Sequence, residues 1–268
     1  MGQAALPLEL DTAQAEVLEH PSGTLLVTGP PGSGKTTLLR ERFARLVEAG
    51  AAPERVLLLT LNRRSAREGR EWLVRRLARS LPEVPVFTAH GLAFRALGRR
   101  FRELGYQREP QVLSAPEQYA TVREMLRDER SGDWPRFATL LRVAGFARQV
   151  ADLVLRAQER LLGPDDIERL ARTTGRVEYE EVAAFYGRYL DALSEADQTD
   201  FAGLLFQAVN LLERGVGDEE RFEHVLVDDY QDATHATEAM VRALAATARS
   251  VVVAADPESH VFSYRGGT

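Results

Sequence analysis

The sequence contains no cysteine. Disulfides, thiolate zinc sites and iron–sulfur clusters held by this chain are therefore excluded. Lysine is nearly as scarce: of 34 basic residues, 33 are arginine and one, Lys35, is lysine. No apolar run approaches the roughly 18 residues of a membrane span. The amino terminus, Met1-Gly2-Gln3-Ala4-Ala5-Leu6, lacks a basic region followed by an apolar stretch, and Leu6 stands where a myristoylation signal needs Ser or Thr. There is no low-complexity tract and no internal repeat. These absences point to a soluble, cytoplasmic protein. What is present is 268 residues with 44% apolar content, enough for one large domain or two smaller ones.

The net charge of −6 by itself argues against a general nucleic-acid binder. Its distribution says something different. Between Arg63 and Arg102 eleven arginines outnumber three acids (Glu68, Glu71, Glu83), a local surplus of +8 that leaves −14 for the remainder. Such a block suits a face that meets a polyanion, or a pair of solvated arginine-rich helices. Charge alone leaves both open.

Four short apolar runs lack alternation: Leu25-Leu26-Val27, Val56-Leu57-Leu58-Leu59, Val225-Leu226-Val227 and Val251-Val252-Val253. Runs of this kind predict strands buried on both faces, as in a parallel sheet covered by helices. Helical patterns follow three of them, over Thr36–Glu48, Arg64–Ser80 and Ala233–Ala246. That alternation predicts an α/β fold. From about Ser114 to Leu193 the spacing is helical throughout, as in Val182, Phe185, Tyr186 and Tyr189, with breaks at Gly163-Pro164 and Thr173-Thr174-Gly175. An all-helical insertion is expected, entering near Glu109-Pro110 and leaving near Asp197-Gln198-Thr199.

Gly29-Pro30-Pro31-Gly32-Ser33-Gly34-Lys35-Thr36 fits G-x-x-x-x-G-K-[ST]. A chance match in a chain of this length arises about once in a hundred. The context agrees, because an apolar strand precedes the motif and a helix follows it. The glycines let backbone N–H groups turn inward around phosphates, and the helix N-terminus after Gly34 adds its dipole. Lys35 would reach the β- and γ-phosphates of ATP, and the Thr36 hydroxyl would ligate Mg²⁺. The solitude of Lys35 supports this reading. A compact ammonium fits between phosphates where a planar guanidinium is too bulky. The second nucleotide element is an acidic pair ending a buried strand, His224-Val225-Leu226-Val227-Asp228-Asp229. Asp228 is placed to hold Mg²⁺ and Asp229 to orient or deprotonate the attacking water. Lys35, Asp228 and Asp229 form the expected catalytic set.

Asp228-Asp229-Tyr230-Gln231-Asp232 resembles the DExQD box of superfamily 1A helicases of the UvrD/Rep/RecB type. Further positions agree in the expected order. Leu10-Asp11-Thr12-Ala13-Gln14 resembles the upstream glutamine motif, so Gln14 would read the adenine edge. Leu59-Thr60-Leu61-Asn62-Arg63-Arg64-Ser65-Ala66 resembles motif Ia, and Thr88-Ala89-His90-Gly91-Leu92-Ala93 the T-x-H-G-x-A element. Thr199-Asp200-Phe201 with Leu204-Leu205 resembles the D-F-x-x-L-L element that re-enters the motor domain. Asp256-Pro257-Glu258-Ser259-His260-Val261-Phe262-Ser263-Tyr264-Arg265-Gly266 resembles motif III.

The resemblance implies a RecA-like P-loop domain 1A over 1–108 and 198–268, interrupted by helical domain 1B over 109–197. It implies an ATP-driven translocase on single-stranded DNA that acts in repair or recombination. A second RecA-like domain would supply arginine fingers worth about 10³–10⁵ in rate. The chain stops after motif III, so it is expected to be a fragment that hydrolyses ATP very slowly by itself. Thr60, Arg63, Arg64, His90, Phe262, Tyr264 and Arg265 are the implied DNA contacts. Phe262 and Tyr264 would stack on bases, with core packing as the other reading of both. His90 would serve as a hydrogen-bonded structural residue near the DNA.

Three positions depart from the family pattern. Asp229 stands where most relatives have Glu. Ser259 stands where a glutamine senses the γ-phosphate. Thr37 follows Thr36 where many relatives have Arg. These departures resemble an AdnA-like subunit of a motor–nuclease, and they keep open a weakly hydrolysing subunit that grips nucleotide and DNA while a partner motor works. A small-molecule kinase or GTPase fits less well. It leaves Gln14 and the acidic box unexplained, and a guanine-reading N-K-x-D needs a second lysine.

Overall fold

The computed structural model of the protein describes residues 11–78, 83–215, 217, 220–256 and 258. In chain order the principal elements are α1 (Thr12–Glu19), β1 (Gly23–Thr28), α2 (Lys35–Glu48), β2 (Val56–Leu59), α3 (Arg63–Leu77), β3 (Val86–Phe87), α4 (Ala89–Arg100), β4 (Gln111–Leu113), α5 (Ala115–Asp128), α6 (Ala144–Glu159), α7 (Pro164–Thr174), α8 (Glu178–Glu195), β5 (Gln198–Asp200), α9 (Phe201–Arg214), β6 (His224–Val227), α10 (His235–Ala245) and β7 (Ser250–Ala255). They form two compact units: one from the described parts of Met1–Thr88, Val216–Ala233 and Val241–Thr268, the other from Ala89–Gly215 and Thr234–Met240.

The first unit is α/β. Its five strands lie in the order β1-β7-β6-β2-β3, and every pair is parallel. The apolar runs explain the pairing: Leu57 lies opposite Val225, and Val225 opposite Val251. β2, β6 and β7 are buried along their whole length, as central strands covered on both faces must be. β1 departs from that expectation. It is an edge strand paired only with β7, its burial alternates, and Leu26 is 60% exposed. On α2, Leu38, Leu39, Phe43 and Val47 recur at helical spacing and pack on Leu58, Leu226 and Val252.

The second unit is helical apart from the short parallel pair β4–β5. Trp134, Phe185, Tyr186 and Tyr189 are wholly buried and lie at the centre of its core. Beside them lies a buried carboxylate, Asp200. It accepts hydrogen bonds from Tyr189 Oη (2.8 Å), Gln158 Nε2 (3.2 Å), Gln118 Nε2 (3.3 Å) and Gly203 N (2.7 Å). Burial, and then the Asp200 charge, push the Tyr189 hydroxyl far above its usual range, so it remains a donor. The entry and exit of the expected insertion are tied together here. Asp197 accepts from Gln107 N (2.7 Å) and Arg108 Nε (3.0 Å), and its carbonyl accepts from Gln111 N (2.9 Å).

The compact units divide at Thr88/Ala89 and Gly215/Val216, so the boundaries expected at 108/109 and 197/198 both fall inside the helical unit. The reason is that α4 and α9, which lie outside 109–197, pack against each other. Among the described residues no strand lies between Ser114 and Leu193.

Candidate nucleotide and nucleic-acid site

The loop between β1 and α2 is shaped by its glycines. Gly32 (φ 80°) and Gly34 (φ 87°) are left-handed, a conformation that side chains resist. At Gly29 a Cβ would lie 2.8 Å from Ser33 Oγ. Gly34 is the N-cap of α2 and supplies no side-chain acceptor, so the first N–H groups of α2 have no capping side chain. Pro30, Pro31, Gly32, Ser33, Gly34 and Thr37 are exposed or half-buried, and Gly29 is half-buried. Lys35 folds across the loop, its Nζ donating to the carbonyls of Gly29 (2.5 Å) and Pro30 (3.0 Å). That holds the only lysine at the mouth of the glycine loop.

Asp228 ends β6 and is buried. Its backbone N–H donates to Leu59 O at 2.9 Å, and the Thr36 hydroxyl lies near its carboxylate. Burial pushes the Asp228 carboxyl above its usual range. The charge of Asp229 adds to this, while the nearby Thr36 hydroxyl and the positive charge of Arg40 oppose it. The sheet thus brings the expected Mg²⁺ pair, Thr36 and Asp228, near one another although they are far apart in sequence. Hydroxyl and carboxylate oxygens are the hard donors Mg²⁺ takes. Asp229 lies in the left-handed region (φ 53°, ψ 40°) and opens the 3₁₀ turn Tyr230–Asp232. Asp adopts this region more readily than a longer side chain. Gln231 Oε1 accepts from Asp256 N at 3.0 Å, linking the box to the end of β7.

Gln14 has a local role in the structure. Its Oε1 accepts from Asp11 N (3.2 Å) while Asp11 Oδ1 accepts from Gln14 N (2.7 Å), closing a capping box on α1. A residue that sequence reasoning missed anchors this helix. Arg42, wholly buried on α2, donates to the carbonyls of Val17 (2.7 Å), Leu18 (3.0 Å) and His20 (2.6 Å), and to Ser250 Oγ (3.3 Å). The available signal was an arginine on the apolar face that carries Leu38, Leu39 and Phe43.

The expected DNA residues separate into groups. Thr60 is buried (6% exposed) and its hydroxyl donates to Asn62 O at 3.3 Å, so it shapes the turn into α3 and presents no side chain outward. Arg63 and Arg64 are exposed in the first turn of α3, after the N-cap Asn62. Cations there oppose the helix dipole. Arg64 is steadied by Glu68 at 2.8 Å. His90 on α4 stacks on Phe201, with centroids 4.0 Å apart and planes 11° apart. Phe201 is 50% exposed and Phe94 47%. Phe201 opens α9 directly after the buried cap Asp200. Ser259, Phe262, Tyr264 and Arg265 lie outside the described residues. Part of the basic block is structural: Arg76 binds Glu41 and Glu48, and Arg100 binds Glu103 and Gly215 O. The surplus of charge therefore overstates the cations open to a polyanion.

The family model for the UvrD/REP helicase N-terminal domain matches residues 10–268. The ATP-dependent DNA helicase PcrA of Staphylococcus aureus (strain COL) is 27% identical over 268 residues, covering 98% of this chain and 35% of that protein. PcrA of Leuconostoc citreum is 26% identical over 263 residues, 96% and 34%. PcrA of Staphylococcus epidermidis is 26% identical over 267 residues, 98% and 35%. The chain thus spans about a third of the length of the curated relatives it matches. With a parallel sheet, a glycine loop closed by Lys35 and a buried Asp228 at the end of β6, it belongs to the UvrD/REP helicase family, whose N-terminal domain it carries.

Proposed function

We propose that this chain is the ATP-binding portion of a motor that translocates on single-stranded DNA. The observation that carries the reading is the buried carboxylate of Asp228 near the Thr36 hydroxyl, at the glycine loop spanned by Lys35. Thr36 and Asp228 would hold Mg²⁺, which shields the charge of the ATP phosphates when bound. Lys35 and the α2 N-terminus bind the β- and γ-phosphates. Asp229 orients and deprotonates water. Gln14 addresses adenine once it leaves its capping box. In this reading residues 1–108 and 198–268 are domain 1A, 109–197 is domain 1B, and a second RecA-like domain supplies the arginine fingers. Each compact unit offers DNA contacts: Arg63 and Arg64 in the first, the half-buried His90 stacked on exposed Phe201 in the second. Phe262, Tyr264 and Arg265 are further contacts. Aromatic stacking on a base is worth about 1–3 kcal/mol. PcrA of both Staphylococcus aureus and Leuconostoc citreum is named an ATP-dependent DNA helicase, which favours a working motor over a subunit that only grips.

The test is titration with a fluorescent ATP analogue in the presence of Mg²⁺, and with labelled oligo-dT. Wild type should bind both, and Lys35→Met should lose nucleotide while keeping its thermal stability. Undiminished nucleotide binding by Lys35→Met would sink the assignment. Oligo-dT affinity should fall steeply with salt. Replacing Arg63 and Arg64 together with Ala should reduce the log–log slope by roughly 1.4.

A further inference from the structure

Asp200 is wholly buried, yet the next residue, Phe201, is half exposed. Asp200 caps α9, its Oδ1 accepting from Gly203 N at 2.7 Å. A cap needs only one acceptor, which a solvated carboxylate or hydroxyl supplies. Here the second oxygen, Oδ2, is committed as well. It accepts from Gln118 on α5 (3.3 Å), Gln158 on α6 (3.2 Å) and Tyr189 on α8 (2.8 Å). Burying a carboxylate is costly, and Gln158 Oε1 is itself buried without a partner among the described residues. The cluster leaves no slack beside α9. An added Cβ at Gly203 would lie 3.0 Å from Gln158 Nε2, 3.0 Å from Thr199 Oγ1 and 3.1 Å from Asp200 Oδ1. Three helices thus meet the first turn of α9 at one carboxylate. The side chain that opens this turn is Phe201, whose ring lies 4.0 Å from that of His90 on α4 with the planes 11° apart.

We propose that Asp200 is a positioning residue for single-stranded DNA, through which α5, α6 and α8 hold the start of α9 so that Phe201 and His90 present one fixed stacking face to an unstacked base. The inference rests on the DNA reading above and deepens it. Phe201 is one residue from the anchor, so any shift of the α9 start moves its ring directly. Buried hydrogen-bonded networks are stiff. A ring already held in place loses little freedom when a base arrives, and that preorganisation strengthens binding. A cap in water would hold the helix without holding the ring. Gln118, Gln158 and Tyr189 do not touch DNA in this account; they act through Asp200.

The experiment follows binding of the full chain to oligo-dT carrying one 2-aminopurine, whose emission is quenched when it stacks on an aromatic ring. The 2-aminopurine is moved along the oligonucleotide to find the base that meets Phe201. Phe201→Ala should weaken affinity about tenfold and abolish quenching at that base. Tyr189→Phe removes only the hydroxyl. It should weaken affinity about fivefold and roughly halve the quenching, while ATPγS binding stays within about twofold of wild type. In a Phe201→Ala background Tyr189→Phe should have no further effect on affinity, because its effect passes through that ring. Asp200→Asn keeps an acceptor for Gly203 N and offers a donor to Gln158 Oε1, so it should retain most of the quenching, whereas Asp200→Ala should lose it. If Asp200→Ala fails to fold, as its helix content would show, Tyr189→Phe decides the matter. A merely structural cluster would lower the unfolding midpoint of Tyr189→Phe and leave the quenching untouched. Unchanged quenching in Tyr189→Phe, a loss of affinity that adds in full to that of Phe201→Ala, or no effect of Phe201→Ala would overturn the positioning role and leave the motor reading standing. Wild type that does not bind oligo-dT would overturn the DNA reading, and the positioning role with it.

Discussion

At the scale of the residue, the two acids that end β6 are under different constraints. Asp228 is buried, and burial raises its carboxyl above the ordinary value. A carboxyl raised in the folded state detracts from stability once the pH exceeds its unfolded value, near 3.9. Asp228→Asn should therefore raise the thermal midpoint of the nucleotide-free protein at pH 7 and remove Mg²⁺-dependent nucleotide binding; calorimetry with and without Mg·ATP checks both. Asp229 is limited by its backbone, at φ 53°. A left-handed residue costs about 1–2 kcal/mol, least for short polar side chains. Asp229→Glu should lower stability by about 1 kcal/mol, read from urea midpoints. The same variant brings the carboxylate one methylene closer to where relatives place it. In full-length protein carrying Ser259→Gln as well, a large rise in DNA-stimulated turnover would mark a motor weakened at these positions, and no change would mark one that works as it stands. The choice of Asp at 229 was legible in the sequence; the left-handed backbone that suits it was not.

At the scale of the element, α1 and the strands β6 and β7 meet at a buried polar junction. Arg42 caps the carboxyl end of α1, and Ser250 Oγ lies 2.7 Å from His224 Nδ1. Burial, and then the nearby Arg42 charge, hold the His224 imidazole below the ordinary value of about 6.5, with Glu223 opposing and Arg249 adding to the effect. A depressed folded value means that stability is fully present above pH 6.5 and is lost as the pH falls below it. Urea midpoints should therefore decline between about pH 7 and pH 5.5, and His224→Asn should flatten that decline. A wild-type midpoint independent of pH over this range would refute the junction's role. The strands themselves were readable as apolar runs. The junction was not, because His224 and Ser250 are 26 positions apart and only parallel pairing of β6 with β7 brings them together. The short elements β3, β4 and β5 were equally hidden, since two or three residues carry no periodicity.

At the scale of the whole molecule there are two cores, one around the sheet and one around Trp134. Trp134 is wholly buried, and its Nε1 donates to Glu129 at 2.9 Å. Trp134→Ala should cost about 3–5 kcal/mol. Hydrogen exchange should show the loss concentrated in amides of α5, α6 and α8. Mg·ATP at a hundred times its Kd should stabilise wild type by about 2.7 kcal/mol, with protection centred on α2 and β6. Uniform protection across both cores would contradict that assignment.

The glycine loop, the acidic pair that ends β6, the α/β class and the helical stretch from Ser114 to Leu193 were all legible in the sequence alone. Each depends on residues close together in the chain, where glycine geometry, strand burial and helical period act locally. The burial of Asp228, the anchoring of α1 by Arg42, the stack of His90 on Phe201 and the inward turn of Thr60 were decided by tertiary structure. These contacts join residues whose neighbours in sequence say nothing of their neighbours in space, and burial sets the charge state and exposure on which their chemistry depends.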